Sequence, residues 1–214
     1  MRDKEVRVLC YGDSNTWGYI SGTNHNRYLK KQRWTGILQE LLGNDYLIIE
    51  EGLNSRTLIS NDERPGKEGK NGSEYLIPCL DTHDPLDIVI LMLGTNELKG
   101  VYNKTTEEIG KLIEEYFVEI ILNRKSQYLN TIPKLILVCP PLVNENTDYC
   151  KNKYEGASEK SKDLNRIYEE IAKGNNCTFV NNDKLNAGID GVHMTDESHK
   201  NLAEKLFSCI KELK

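Results

Sequence analysis

The run Gly12-Asp13-Ser14-Asn15-Thr16-Trp17-Gly18 holds a serine hydroxyl in a glycine-flanked turn, directly after an apolar stretch. Far along the chain stands Asp190-Gly191-Val192-His193. An aspartate three residues before a histidine can fold its carboxylate onto the ring. That contact fixes the tautomer and supports the imidazolium that forms when the ring takes a proton. A serine without a base is a poor nucleophile, so the two segments gain weight as a pair whose chemistry would be acyl transfer. The competing role for Asp13 and Ser14 is to cap the next helix, as both residue types routinely do. In Leu93-Gly94-Thr95-Asn96-Glu97, the Asn96 side chain either donates to an oxyanion, a donor type worth ~2.7–4 kcal/mol, or serves the turn. The segment 50–57 can add a backbone N–H donor. The glycine-rich phosphate loops G-x-G-x-x-G and G-x-x-x-x-G-K-[ST] are absent, which argues against nucleotide binding.

The elements that must position these residues follow from the apolar pattern. Runs rich in Val, Ile and Leu at 6–11, 46–49, 87–93, 135–139 and 177–180 read as strands. They are continuous more than alternating, as in parallel strands covered on both faces. Helical spacing marks 34–42, 107–122, 158–172 and 197–213, for example through Leu202, Leu206 and Ile210. Alternating strand and helix predict an open α/β sandwich with right-handed crossovers, whose sites lie beyond the carboxyl ends of its strands. Ser14, Asn96 and His193 all follow such ends. Segments 19–32 and 61–72 read as surface loops, neither a linker, so one domain is expected. The Lys/Glu-rich faces at 104–119 and 197–214 read as solvated helix surfaces.

The 214 residues carry 28 Lys+Arg against 33 Asp+Glu, a net charge of −5 at pH 7. Such a chain has no surplus of cations for a phosphate backbone or an anionic leaflet, so neither nucleic acid nor membrane is an expected partner. The longest proline-free apolar run, 88–93, falls far short of the ~20 residues that cross a bilayer, and residues 1–14 do not read as an export signal. The six cysteines form no C-x-x-C pair, so reduced thiols in a cytoplasmic protein are expected, without a zinc site or a disulfide framework. His25, His83 and His199 lack a partner at catalytic or metal-ligand spacing and are expected in surface or loop roles.

The blocks Gly12-Asp13-Ser14, Gly94-Thr95-Asn96 and Asp190-x-x-His193 resemble those of the SGNH (GDSL-type) hydrolases. Arg33-Trp34-Thr35-Gly36, Glu50-Glu51-Gly52-Leu53, Arg56-Thr57, Asn71-Gly72, Met92-Leu93-Gly94-Thr95-Asn96 and Pro140-Pro141 look like the subgroup of small intracellular arylesterases and acyltransferases. The likeness runs over nearly the whole chain. It implies a flavodoxin-like three-layer α/β/α sandwich with a five-stranded parallel sheet, and residues 1–214 as one SGNH-hydrolase-like domain. It implies Ser14 as nucleophile, His193 as base and then acid, and Asp190 as the residue that orients it. The implied oxyanion hole combines the Ser14 N–H, the Asn96 side chain and a backbone N–H after strand two, from Ser55 or else Gly52.

Ser55 stands where the family usually has glycine, Asn15 where its name has leucine, and Glu97 where aspartate commonly follows Gly-Thr-Asn. Trp17 and Arg56, beside nucleophile and oxyanion loop, are expected to line the acyl or alcohol pocket. The activity so implied is a serine esterase or acyltransferase on short-chain carboxylic esters, using an acyl-enzyme and neither cofactor nor metal. A homo-oligomer is expected on the same ground, with loops 19–32 and 61–72 as contacts. The alternatives are a carbohydrate acetyl esterase with the same triad and a non-catalytic flavodoxin-like binding module, against which the intact set Ser14, Asn96, Asp190 and His193 argues.

Overall fold

In the computed structural model, which describes residues 5–62 and 64–213, five strands lie in one parallel sheet of order β2-β1-β3-β4-β5. They are β1 (Val6–Gly12), β2 (Tyr46–Gly52), β3 (Ile88–Met92), β4 (Lys134–Val138) and β5 (Thr178–Val180). The chain steps from β1 outward to β2, then returns past β1 to β3, β4 and β5. Strand order therefore reverses between β1 and β3, where open parallel sheets form a crevice at their carboxyl edge. Residues 1–4, on which part of the export reading rests, lie outside the described residues, as do Glu63 of the second loop and Lys214. Among the described residues no helix is long and apolar enough to cross a membrane.

Alternate strand residues point to opposite faces, which divides the core in two. Leu9, Tyr11, Val89, Leu91 and Leu137 pack with Leu76, Ile109, Phe117 and Leu164 on one face. Val8, Cys10, Ile90, Met92 and Ile136 pack with Trp34, Leu38, Leu202 and Leu206 on the other. The second layer is built by α2 (Trp34–Leu42) and α7 (Asp196–Glu212), and the first by α3 (Gly72–Thr82), α4 (Thr106–Ile113), α5 (Glu119–Asn123) and α6 (Ala157–Gly174). A single turn, α1 (Ser14–Trp17), follows β1 directly.

Two elements depart from the periodicity. The helix expected over 107–122 starts on a capping box, Thr105 with Glu108, but widens into a π turn at Glu114–Val118 before α5. Phe117 and Val118 of this turn are both buried in the core. Helix α3 was not expected, because Pro78 sits in its interior. It is held from outside: Asn71 caps it by accepting the Ser73 N–H at 3.1 Å, and the buried Tyr11 hydroxyl donates to the Gly72 carbonyl at 2.7 Å. The charged helix faces carry surface pairs such as Lys111 with Glu115 and Lys200 with Glu204, each worth little. All six cysteines are free.

Candidate active site

Asp13 caps α1, its carboxylate accepting the Asn15 N–H at 2.9 Å. Capping therefore falls to Asp13 and leaves the Ser14 hydroxyl at the first helical position free to turn elsewhere. The turn is tight enough that a Cβ on Gly12 would stand 2.0 Å from Thr16 Oγ1 and 2.7 Å from the Met92 carbonyl, so only glycine fits. Ser14 Oγ lies 3.0 Å from His193 Nε2, and His193 Nδ1 lies 2.7 Å from Asp190 Oδ2. A carboxylate only accepts, so Nδ1 carries the proton and Nε2 of the neutral ring is left to accept from the serine hydroxyl.

Asp190 is anchored from several sides. Its Oδ1 accepts the N–H groups of Val192 and His193 at 3.0 and 2.9 Å, and Oδ2 accepts that of Gly22 at 3.1 Å. Gly191, with φ +80°, makes the turn that doubles Asp190 back onto His193. Burial pushes the Asp190 carboxyl up. The hydrogen bond and charge of His193, with the two N–H donors, outweigh that and hold it well below the usual carboxylate range.

Asn96 is buried, and its amide has one possible orientation. Its Oδ1 accepts from the Lys99 ammonium at 2.7 Å and its Nδ2 donates to the Arg56 carbonyl at 2.9 Å. An ammonium only donates and a carbonyl only accepts, so one Nδ2 hydrogen remains for the cavity. Ser55 adopts φ +67°, the left-handed region that favours glycine. Among the described residues no protein acceptor takes the backbone N–H of Ser14 or Ser55. Gly52 sits opposite Gly12 at the end of β2, where a Cβ would stand 2.2 Å from the Trp17 nitrogen. It is Ser55, not Gly52, that borders the cavity.

That cavity, of about 780 Å³, is bordered by Ser14, Ser55, Asn96 and His193 and walled by Tyr19, Tyr102, Tyr149 and Tyr154. Among the described residues Arg64, Lys67, Lys99 and Lys153 also face it, with one acid, Asp62, which is paired with Arg64 at 2.5 Å. The Tyr19 ring stacks on the His193 imidazole with centroids 4.1 Å apart. Burial lowers the Lys99 ammonium to about 8.

Trp17 and Arg56, expected in the pocket wall, are elsewhere. The Trp17 ring lies under the Arg27 guanidinium, 5.0 Å away, and its carbonyl accepts from Arg27 at 2.7 Å. Arg56 is buried with its guanidinium 4.1 Å over Tyr11 and donates to the carbonyls of Gly12 and Glu51. Those carbonyls sit where β1 and β2 end, so Arg56 ties the Ser55 loop to both strands. His199, expected at the surface or in a loop, is buried in α7, where its Nδ1 accepts the Trp34 N–H and burial pushes it down to about 3. His83 closes α3 against Glu51, at 2.9 Å, and Cys79, the opposite of a residue without partners. His25 does lie exposed in its loop, at the cavity mouth.

Asn15 does not face the cavity. Its Oδ1 accepts the Met194 N–H at 2.8 Å and its Nδ2 donates to the Val192 carbonyl at 3.4 Å, bracketing His193 on both sides. Glu97 is also buried, one oxygen accepting the Leu58 N–H and the other without a hydrogen-bond partner among the described residues. Burial, aided by the charge of Asp13, pushes its carboxyl up to about 7. Tyr19, Tyr149 and Lys99 were not singled out from sequence, because they belong to no motif and converge only through the fold.

Residues 8–206 match the GDSL-like lipase/acylhydrolase family. The fold is similar to that of the M. smegmatis aryl esterase, 34% identical, with a TM-score of 0.89 over 98% of this chain and 100% of that one. A carbohydrate acetylesterase from Sinorhizobium meliloti is 35% identical, again with a TM-score of 0.89 and coverage of 98% and 100%. The lipase/acylhydrolase from Enterococcus faecalis, 17% identical with a TM-score of 0.65 over 97% and 96%, shares the fold alone. No curated protein matches by sequence.

Proposed function

Because the chain belongs to the GDSL-like lipase/acylhydrolase family and is a carboxylic ester hydrolase, we propose that it cleaves short-chain esters through an acyl-enzyme on Ser14. His193 Nε2 removes the hydroxyl proton as Oγ attacks the ester carbonyl, whose π electrons move onto oxygen. That oxyanion lies against the N–H groups of Ser14 and Ser55 and the free Asn96 Nδ2 hydrogen. When the tetrahedral state collapses, the alcohol leaves with the proton from His193. Water, or a second alcohol in acyl transfer, then repeats the sequence in reverse. Asp190 stays ionised throughout and compensates the imidazolium.

The observation that carries this reading is the unbroken hydrogen-bonded line from Ser14 through His193 to Asp190. Its test is Ser14→Ala, examined by ester hydrolysis and by labelling with a fluorophosphonate probe. Loss of both at an unchanged Tm is expected, and full activity overturns the assignment.

The tyrosine-lined cavity also favours a second reading, removal of acetyl groups from carbohydrates, whose hydroxyls and ring faces such walls suit. Comparing kcat/KM on aryl acetates and acetylated sugars separates the two. Free cysteines support a cytoplasmic setting. A homo-oligomer is supported by Leu29 in the first loop and Val101 and Ile189 near the cavity, which are 63, 82 and 79% exposed. Light scattering that reports only a monomer would remove that part.

A further inference from the structure

On the layer opposite α7, one face of α3 carries Cys79 and His83 a single turn apart, and the end of β2 brings Glu51 up to them. One ligand atom from each, a sulfur, an imidazole nitrogen and a carboxylate oxygen, lies within 4.8 Å of the other two. His83 Nε2 and Glu51 Oε1 are already 2.9 Å apart. The Cys79 side chain comes from the buried side, whereas His83 and Glu51 keep 23 and 19% of their side-chain surface exposed. The group therefore has a floor of protein and a mouth open to solvent.

We propose that Glu51, Cys79 and His83 form a three-ligand site for a zinc-class divalent cation, separate from the catalytic centre. The donor set decides the class: thiolate and imidazole suit zinc and its late first-row neighbours, while calcium and magnesium take oxygen alone. With bonds of ~2.0–2.3 Å, tetrahedral ligand atoms stand ~3.3–3.8 Å apart, so the widest separation needs to close by at most ~1.5 Å while the His83–Glu51 pair, at 2.9 Å, opens slightly. On binding, the Cys79 thiol gives its proton to solvent, Glu51 is already anionic and His83 binds as the neutral ring. Two negative ligands then balance the dication, and water completes the fourth position.

Two cations neighbour the group: Arg7 donates to the His83 carbonyl at 3.3 Å, and Arg56 is held over Tyr11 by two backbone carbonyls, one of them that of Glu51. An ion fixed on the Glu51 side chain therefore braces the strand end from which the Ser55 loop springs, and joins it to α3.

The test uses the full chain after treatment with a chelator. Zinc chloride is titrated by calorimetry, and cobalt(II) is followed by its thiolate charge-transfer absorption. The expected result is one ion per chain, a charge-transfer band, and a Tm that rises with zinc. Cys79→Ser should abolish the band, and His83→Gln, at a partly exposed position, should weaken binding at least tenfold while the chain stays folded. Ser14→Ala should bind as the unaltered chain does, which keeps this outcome independent of the ester-hydrolysis reading. Binding that is absent, or that survives both Cys79→Ser and His83→Gln, overturns the site.

Discussion

Asn96 holds its amide between an ammonium and a carbonyl, so replacing it separates catalysis from turn formation. If the free N–H meets charge that develops only in the tetrahedral state, Asn96→Ala lowers kcat by ~10²–10³ with little change in KM. A lower Tm with an unchanged kcat would instead assign Asn96 to the turn. The neighbouring Glu97 yields a pH prediction. Its carboxyl titrates near 7 in the folded chain, above its ordinary value of 4.5. Between those values the folded state binds a proton that the unfolded state has released. The stability this group contributes is thus complete below about 4.5 and is lost as pH rises through 7, a cost of up to ~3 kcal/mol for a fully buried acid. Glu97→Gln keeps an acceptor for the Leu58 N–H and cannot ionise. Urea unfolding should find it more stable than the unaltered chain at pH 8 and near parity at pH 5. A variant weaker at pH 8 would contradict the buried charge.

At the scale of elements, Asn15 latches α1 to the turn that carries His193. Asn15→Ala leaves a buried N–H and a buried carbonyl without partners, a loss of ~1–3 kcal/mol for each stranded group. It should also lower kcat more than it changes KM, because the base loses its alignment. Asn15→Asp, which retains the acceptor for Met194, should recover part of kcat. An Asn15→Ala enzyme with normal kcat would reduce the contact to packing. The central strands were legible because layers cover both faces of the sheet, which leaves continuous apolar runs such as 88–92. The strand ends then locate Ser14, Asn96 and His193 on one edge without any knowledge of side-chain direction. Helix α3 was hidden by Pro78, and with it the one-turn spacing of Cys79 and His83, since four residues apart means adjacency only on a helix. Arg56 was misplaced because proximity in sequence to Ser55 does not say which way a long side chain turns, and here it turns to two strand-end carbonyls. Nothing in the spacing of residues 107–122 marks the π turn.

Across the whole molecule the net charge is −5, yet among the described residues four cations and one acid, Asp62, face the cavity. The local field there opposes the global one, and such a cleft draws anionic ligands. An acetate ester bearing a carboxylate should therefore show a higher kcat/KM than its neutral counterpart. Its advantage should shrink between about 0.01 and 0.15 M salt, as the screening length falls from ~30 to ~8 Å. Equal salt dependence for the two esters would deny the cavity its field. The Ser14–His193 hydrogen bond spans 179 positions along the chain. During biosynthesis the nucleophile leaves the ribosome long before its base exists, so a nascent chain displays an inert hydroxyl and cannot attack cellular esters. Turnover begins only once the last strand has docked beside its neighbours. In a refolding experiment the first appearance of hydrolysis would accordingly time the joining of distant segments.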